Sequence, residues 1–151
     1  MFPKIGNTTS ALCTHSENKK KVKILIVDDE PDVAITLKTI LEEEQESSSN
    51  NNKFEVDVFN DPKLALSNFK AGYYDLLLID ILMPKMNGFE LCQQLKGMDD
   101  KVKVCFITAY ELYYRALRET FPSMKIDCFI SKPIGKKDLV SRIKSELKIN
   151  D

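Results

Sequence analysis

The pattern that most constrains this chain is an alternation. Short apolar, largely β-branched runs at 22–27, 54–59, 76–79, 102–107 and 127–131 are each followed by a stretch with apolar residues at helical spacing. Five strand–helix units in that order predict a parallel sheet with helices on both faces, a doubly wound α/β domain. Leu76 to Ile79 is apolar throughout, as a strand buried on both faces must be. Phe54, Val56 and Val58 alternate with polar residues, as in a more exposed strand near the sheet edge. At 151 residues, one such domain can bury a core without disulfides or metal as staples.

The helical stretches carry their own punctuation. Pro31 suits a first helical turn, where its missing N–H costs nothing, and Val33, Leu37, Ile40 and Leu41 share one face. Asn60-Asp61-Pro62 opens a second helix with Leu64, Ala65, Leu66 and Phe69 as its buried side and Gly72 as its end. The third runs from Gly88 to about Lys96 and closes at Gly97; the fourth runs from Glu111 to Phe121 and stops at Pro122; the fifth runs from Lys136 to about Lys148. Residues 1–21, with the sole histidine His15 and the run Lys19-Lys20-Lys21, lack periodicity and read as a flexible N-terminal tail. Residues 22–149 form the domain, interrupted at about 45–53 by a polar loop insertion that can bury nothing.

Net charge is -1, from 22 basic and 23 acidic residues, which leaves no global basic field for direct nucleic-acid binding. There is no signal-like apolar segment and no run of membrane-spanning length, so the expectation is a soluble, cytoplasmic protein without membrane insertion. The four cysteines, Cys13, Cys92, Cys105 and Cys128, make no C-x-x-C pair, and three lie in apolar or helical stretches. They are expected to be reduced and to pack as small hydrophobes.

Chemistry gathers at the strand ends. Asp28-Asp29 follows the first strand, Asp80 the third, Thr108 the fourth and Lys132 the fifth. In an open α/β sheet the C-terminal edge of the strands is where ligands bind. Taken singly, each of these residues serves as well as a helix cap, a turn or a surface charge. Together they place three carboxylates in one small region, an arrangement that is costly unless a cation holds it. An all-oxygen acidic set suits Mg²⁺ (or Mn²⁺) with a phosphate oxygen among its ligands. A carboxylate there can accept a phosphoryl group as an acyl phosphate, with the lysine and the hydroxyl addressing the same oxygens.

Val27-Asp28-Asp29-Glu30, Asp80 followed by Met83-Pro84 and Asn87-Gly88, Thr108-Ala109 and Lys132-Pro133 form a set that resembles the receiver domain of two-component response regulators. The resemblance covers Lys21 to about Lys148. It implies a flavodoxin-like (βα)5 three-layer sandwich whose parallel five-stranded sheet has the order 2-1-3-4-5. It also implies that Asp80 is the phosphoacceptor, supplied by a sensor histidine kinase or phosphotransfer protein. Asp29 and Asp80 would ligate Mg²⁺ directly, Asp28 through water, and Leu82 by its backbone carbonyl. Thr108 would move toward the phosphoryl oxygens, Lys132 would pair with them, and Phe129 would be the aromatic switch.

Leu82 and Tyr110 stand where this family tunes access of the hydrolytic water, and an apolar and a bulky residue there suggest a long-lived phosphorylated state. The segment Met124-Lys-Ile-Asp-Cys128 lacks the glycine often found before the switch aromatic. The chain ends with the fifth helix, so the expectation is a stand-alone receiver, monomeric or dimerising on phosphorylation. It would signal to a downstream protein through its fourth helix, fifth strand and fifth helix, where Tyr113, Tyr114 and Leu117 lie. The alternative is a Mg-dependent phosphatase with an aspartyl-phosphate intermediate, which would want a second aspartate where Leu82 stands.

Overall fold

In the computed structural model of the chain, residues 20–47, 52–123 and 128–149 are described, without the side chains of 45–47 and 113. Five strands, β1 (Lys20–Val27), β2 (Asn52–Phe59), β3 (Leu76–Asp80), β4 (Lys103–Thr108) and β5 (Cys128–Ser131), alternate with five helices. The helices are α1 (Pro31–Ser47), α2 (Pro62–Asn68), α3 (Gly88–Met98), α4 (Glu111–Thr120) and α5 (Lys136–Leu147). The sheet has the order β2-β1-β3-β4-β5, every neighbouring pair parallel. The alternation predicted the parallel, doubly wound sheet, and the resemblance implied this flavodoxin-like order.

Strand alternation sorts the core into two layers. Ile24, Ile26, Leu76, Leu78, Cys105, Ile107 and Ile130 face one side of the sheet, where Leu37 and Leu41 of α1 and Leu139 and Ile143 of α5 cover them. Leu25, Val27, Leu77, Ile79, Val104 and Phe106 face the other, under Ala65 of α2 and Phe89, Leu91 and Leu95 of α3. All five residues of β3 are buried, because the strand lies in the middle of the sheet with a layer on each face. Each fully buried Leu or Ile there contributes about 1.5–3 kcal/mol, so the register that carries Asp80 to the strand end is strongly fixed.

Several boundaries differ from the sequence expectation. Lys20 and Lys21, expected in the tail, extend β1 and pair with Asn52 and Lys53 of β2, which likewise starts before Phe54. α1 continues through residues 45–47 of the polar insertion, while 48–51 and the tail residues 1–19 lie outside the described residues. Leu64, expected on the buried side of α2, is 54% exposed, whereas Ala65 is fully buried. Gly97 does not close α3, which runs to Met98 with Asp99 as its C-cap. Gly72 stands at φ +77° in the turn before β3, a conformation that glycine adopts without strain.

The cysteine expectation is corrected. Cys105 and Cys128 are register partners in β4 and β5 and form a disulfide. Their spacing of 23 residues gave no pairing signal, because only the parallel β4–β5 register brings them side by side. Cys92 is buried on α3, packed as a small hydrophobe as expected, and Cys13 lies outside the described residues.

Candidate functional site

The strands place their terminal polar residues at one sheet edge. Asp28 follows β1 and is fully buried; its backbone N–H donates to the Phe59 carbonyl at 3.1 Å, and its own carbonyl accepts from Asn60 Nδ2 at 3.0 Å. Its Oδ1 accepts the Glu30 backbone N–H at 3.0 Å, which turns the chain into α1. Asp80 ends β3 and is 4% exposed. Thr108 ends β4, buried, with Oγ1 accepting the Tyr110 backbone N–H at 3.1 Å. Lys132 follows β5, and its backbone N–H donates to the Thr108 carbonyl at 2.8 Å, fixing one strand end against the other. The Lys132–Pro133 peptide is cis.

Lys132 Nζ donates to Asp28 Oδ2 at 2.7 Å and stands 3.6 Å from Asp80 Oδ2. One carboxylate oxygen from each of Asp28, Asp29, Glu30 and Asp80 falls within 4.8 Å of the others. Asp29 is half-buried and Glu30 exposed, so the cluster opens to solvent on that side. Burial pushes the Asp80 carboxyl up to about 7, helped by the charge of Asp28 and the proximity of Asp29, and opposed by Lys132. Burial works against the Lys132 ammonium, but the Asp28 hydrogen bond and the charges of Asp80, Asp28 and Glu30 outweigh it and hold its pKa above the ordinary value. The pocket thus carries more negative charge than its lysine neutralises. Its all-oxygen donor set fits a hard divalent cation such as Mg²⁺.

The loop after β3 is held tightly. The Gly88 N–H donates to the Ile81 carbonyl at 2.8 Å, and the Ile81 N–H reaches the Ile107 carbonyl at 3.3 Å. A Cβ on Gly88 would lie 2.3 Å from the Asp80 carbonyl oxygen and 2.9 Å from Ile81 Cα, so only glycine permits this approach. Asn87 caps α3 through a reciprocal pair, its Oδ1 accepting from Glu90 N at 2.9 Å while Glu90 accepts from Asn87 N at 3.2 Å. Leu82 is half-buried within this loop.

Phe129 is half-buried and stacks on Tyr114 of α4, ring centroids 4.0 Å apart. Tyr114 and Leu117 pack against the α2–α3 face of the core, and the Tyr113 side chain lies outside the described ones. Tyr110 and Leu112, beside Thr108, are 58% and 79% exposed.

Asp28, Asp29, Asp80, Thr108 and Lys132 therefore gather as the strand ends predicted. Sequence reasoning missed three contributors. Glu30 stands in the Val27-Asp28-Asp29-Glu30 motif as a third consecutive acid, but the sequence assigns it no role. Asn60 was read as the start of a helix, yet Asp61 makes the cap and Asn60 braces Asp28. Gly88 was read as a helix start, and its close approach to Asp80 has no signature in sequence.

An acidic pocket with a lysine and a threonine at the C-terminal edge of a 2-1-3-4-5 sheet defines the receiver class, and residues 24–144 match the family described as the response regulator receiver domain. The chain belongs to that family, whose members work in two-component signalling. It is 34% identical over 131 residues to the probable transcriptional regulator ycf27 of Cyanophora paradoxa, covering 87% of this chain and 49% of that protein. It is 31% identical over 126 residues to the transcriptional regulatory protein SpaR of Bacillus subtilis, covering 83% of this chain and 52% of that one. The chain thus spans about half the length of the curated relatives it matches.

Among solved structures, a CheY-like receiver domain from Methanospirillum hungatei superposes with a TM-score of 0.68 at 27% identity, covering 85% of this chain and 95% of that one. The response regulator TrrA of Thermotoga maritima, solved in complex with Mg²⁺ and BeF, gives 0.65 at 30% identity, covering 83% and 98%.

Proposed function

We propose that this chain is a phosphoacceptor receiver in which Asp80 takes a phosphoryl group from a sensor histidine kinase or phosphotransfer protein in a Mg²⁺-dependent reaction. The observation that carries it is Asp80 itself: a carboxylate 4% exposed, grouped with three others and 3.6 Å from an ammonium, at the end of a fully buried strand. An Asp80 oxygen attacks the donor phosphorus, the bond to the donor nitrogen breaks with its electron pair, and an acyl phosphate remains on Asp80. Bound Mg²⁺ supplies neutralisation of the charge on the transferring oxygens.

Asp29 and Asp80 would hold that ion directly, with the Leu82 carbonyl. Asp28, already engaged by Lys132 and the Glu30 N–H, suits a role through water. Lys132 lies near enough to Asp80 to pair with the phosphoryl oxygens, and Thr108 adds a hydroxyl donor. Thr108 and Phe129 would then carry the change of state to the surface. An apolar groove of about 490 Å³ between α1 and the segment at Pro133-Ile134 borders Lys132 and gives a donor protein an approach.

Among the described residues no helix is long and apolar enough to cross a membrane, and the proposed setting is the cytoplasm. The curated relatives are about twice as long and are named as transcriptional regulators, so an attached or separate output module is the destination of the signal. The phosphatase alternative has no supporting group at Leu82, an apolar side chain. Incubation with acetyl phosphate and Mg²⁺ followed by intact mass measurement tests the proposal. One phosphoryl adduct, absent from Asp80→Asn, supports it, and an unmodified wild-type chain refutes it.

A further inference from the structure

The Cys105–Cys128 disulfide joins the two strands that deliver the switch. Cys105 lies three residues before Thr108; Cys128 lies one before Phe129 and four before Lys132. The α-carbons are 4.3 Å apart, and each sulfur replaces an apolar side chain in the layer under α5.

The two sulfurs are not equivalent. Both residues are buried, Cys105 at 0% and Cys128 at 4% exposure, but Cys105 lies within β4 while Cys128 is the first residue of β5, the edge strand of the sheet. The exposed Arg142 of α5 holds Nη2 3.4 Å from Cys128 Sγ and donates from the same nitrogen to the Phe129 carbonyl at 2.8 Å. A guanidinium beside a sulfur stabilises the thiolate form, which is the form that undergoes exchange. That cation is tied to the backbone of the switch residue, so the state of the sulfur and the position of Phe129 share a partner.

We propose that Cys105 and Cys128 are a reversible thiol–disulfide couple, and that the closed bond restrains the phosphorylation switch. The second half rests on the receiver reading; the first does not. The oxidant is a low-molecular-weight disulfide. The Cys128 thiolate attacks one of its sulfurs, forming a mixed disulfide and releasing one small thiolate, which takes up a proton. Cys105 then loses its proton and attacks Cys128 Sγ, releasing the second small thiol. Two protein thiols are oxidised and one small disulfide is reduced to two thiols. In a cytoplasmic setting such a bond is transient, which suits a sensor better than a staple.

The full chain is equilibrated with oxidised glutathione or with dithiothreitol, denatured, alkylated and weighed. The oxidised sample should carry two fewer alkyl groups, mapped to Cys105 and Cys128, and should regain them on reduction. Alkylation of both cysteines after both treatments overturns the couple. Arg142→Gln should close the bond several-fold more slowly, and an unchanged rate removes Arg142 from the proposal.

Phosphoryl uptake from acetyl phosphate with Mg²⁺ is then compared in the two states. The reduced chain should load at least about fivefold faster, the low end of ordinary coupling factors. Cys128→Ala should load at one rate in both buffers. Equal wild-type rates overturn the coupling while leaving the couple standing. Absence of any adduct in either state refutes the receiver reading and the coupling with it, and the alkylation result still decides the couple.

Discussion

The two ends of the same parallel strands are built on opposite electrostatic plans. Toward the N-terminal edge Glu55, Asp75 and Asp57 each have a partner. Glu55 pairs with Lys23 and with Lys21, the latter at 3.2 Å; Asp75 accepts the Lys23 backbone N–H at 2.9 Å; Asp57 accepts the Tyr74 hydroxyl at 2.7 Å. Lys23 also donates to the Tyr73 hydroxyl at 3.1 Å and sits over that ring, 4.8 Å from its centroid. The hydrogen bonds from Lys23 and Lys21 hold the Glu55 carboxyl below its usual range, so this edge is settled as it stands. At the C-terminal edge four carboxylates meet one ammonium, and the most important of them is pushed toward neutrality. A balanced edge holds strands together; an unbalanced one suits the cation and phosphoryl group proposed for it.

The largest effect expected from disturbing this contrast is chemical. Asp80→Asn should lose the phosphoryl adduct entirely, while Glu55→Gln at the opposite edge should load like wild type, both read by intact mass. Next is the steric demand at Gly88. Gly88→Ala puts a Cβ against the Asp80 carbonyl and should destabilise the domain by about 2–3 kcal/mol, the usual cost of overpacking, measured by urea unfolding. A variant as stable as wild type would show that the loop gives way.

The third effect depends on pH. The Asp80 pKa is raised on folding, so folding favours its protonated form, and its cost to stability grows as pH rises from about 4 to about 7. In metal-free buffer Asp80→Asn should therefore be more stable than wild type by about 2 kcal/mol at pH 7.5, discounted for solvent screening. The gap should close near pH 4, and Mg²⁺ should raise the melting temperature of wild type but not of the variant. A gap independent of pH would sink this account of the pocket. The smallest effect belongs to the settled edge: Glu55→Gln should move the urea midpoint only slightly, and less still in high salt, because solvent-accessible ion pairs contribute little and are screened.

How much was legible followed from how local each signal is. Element order and the parallel, doubly wound architecture rest on periodicity, which every strand and helix carries in its own residues; the strand order 2-1-3-4-5 came only with the resemblance to the receiver family. Asp28, Asp80, Thr108 and Lys132 were readable because each is the polar residue that ends an apolar run. What escaped needs two distant segments to be seen together. Gly88 matters through the backbone eight residues before it, Asn60 through the end of another strand, and Cys105 through a register partner 23 residues on. Leu64 escaped for a different reason: α2 is only seven residues long, too short for periodicity to separate its buried face from its exposed one.

The stack of Tyr114 on Phe129 has an optical consequence. The chain holds five tyrosines and no tryptophan, so the tyrosine bands in its near-ultraviolet spectrum are not overlaid by indole. Two of the five, Tyr73 and Tyr74, report on the settled edge, and the other three, Tyr110, Tyr113 and Tyr114, occupy the segment that follows Thr108. A ring held 4.0 Å from Phe129 gives a circular dichroism band that changes when either ring turns. The unlabelled protein is thus its own reporter, and the turning proposed for Phe129 would be timed against phosphoryl uptake in a single stopped-flow trace.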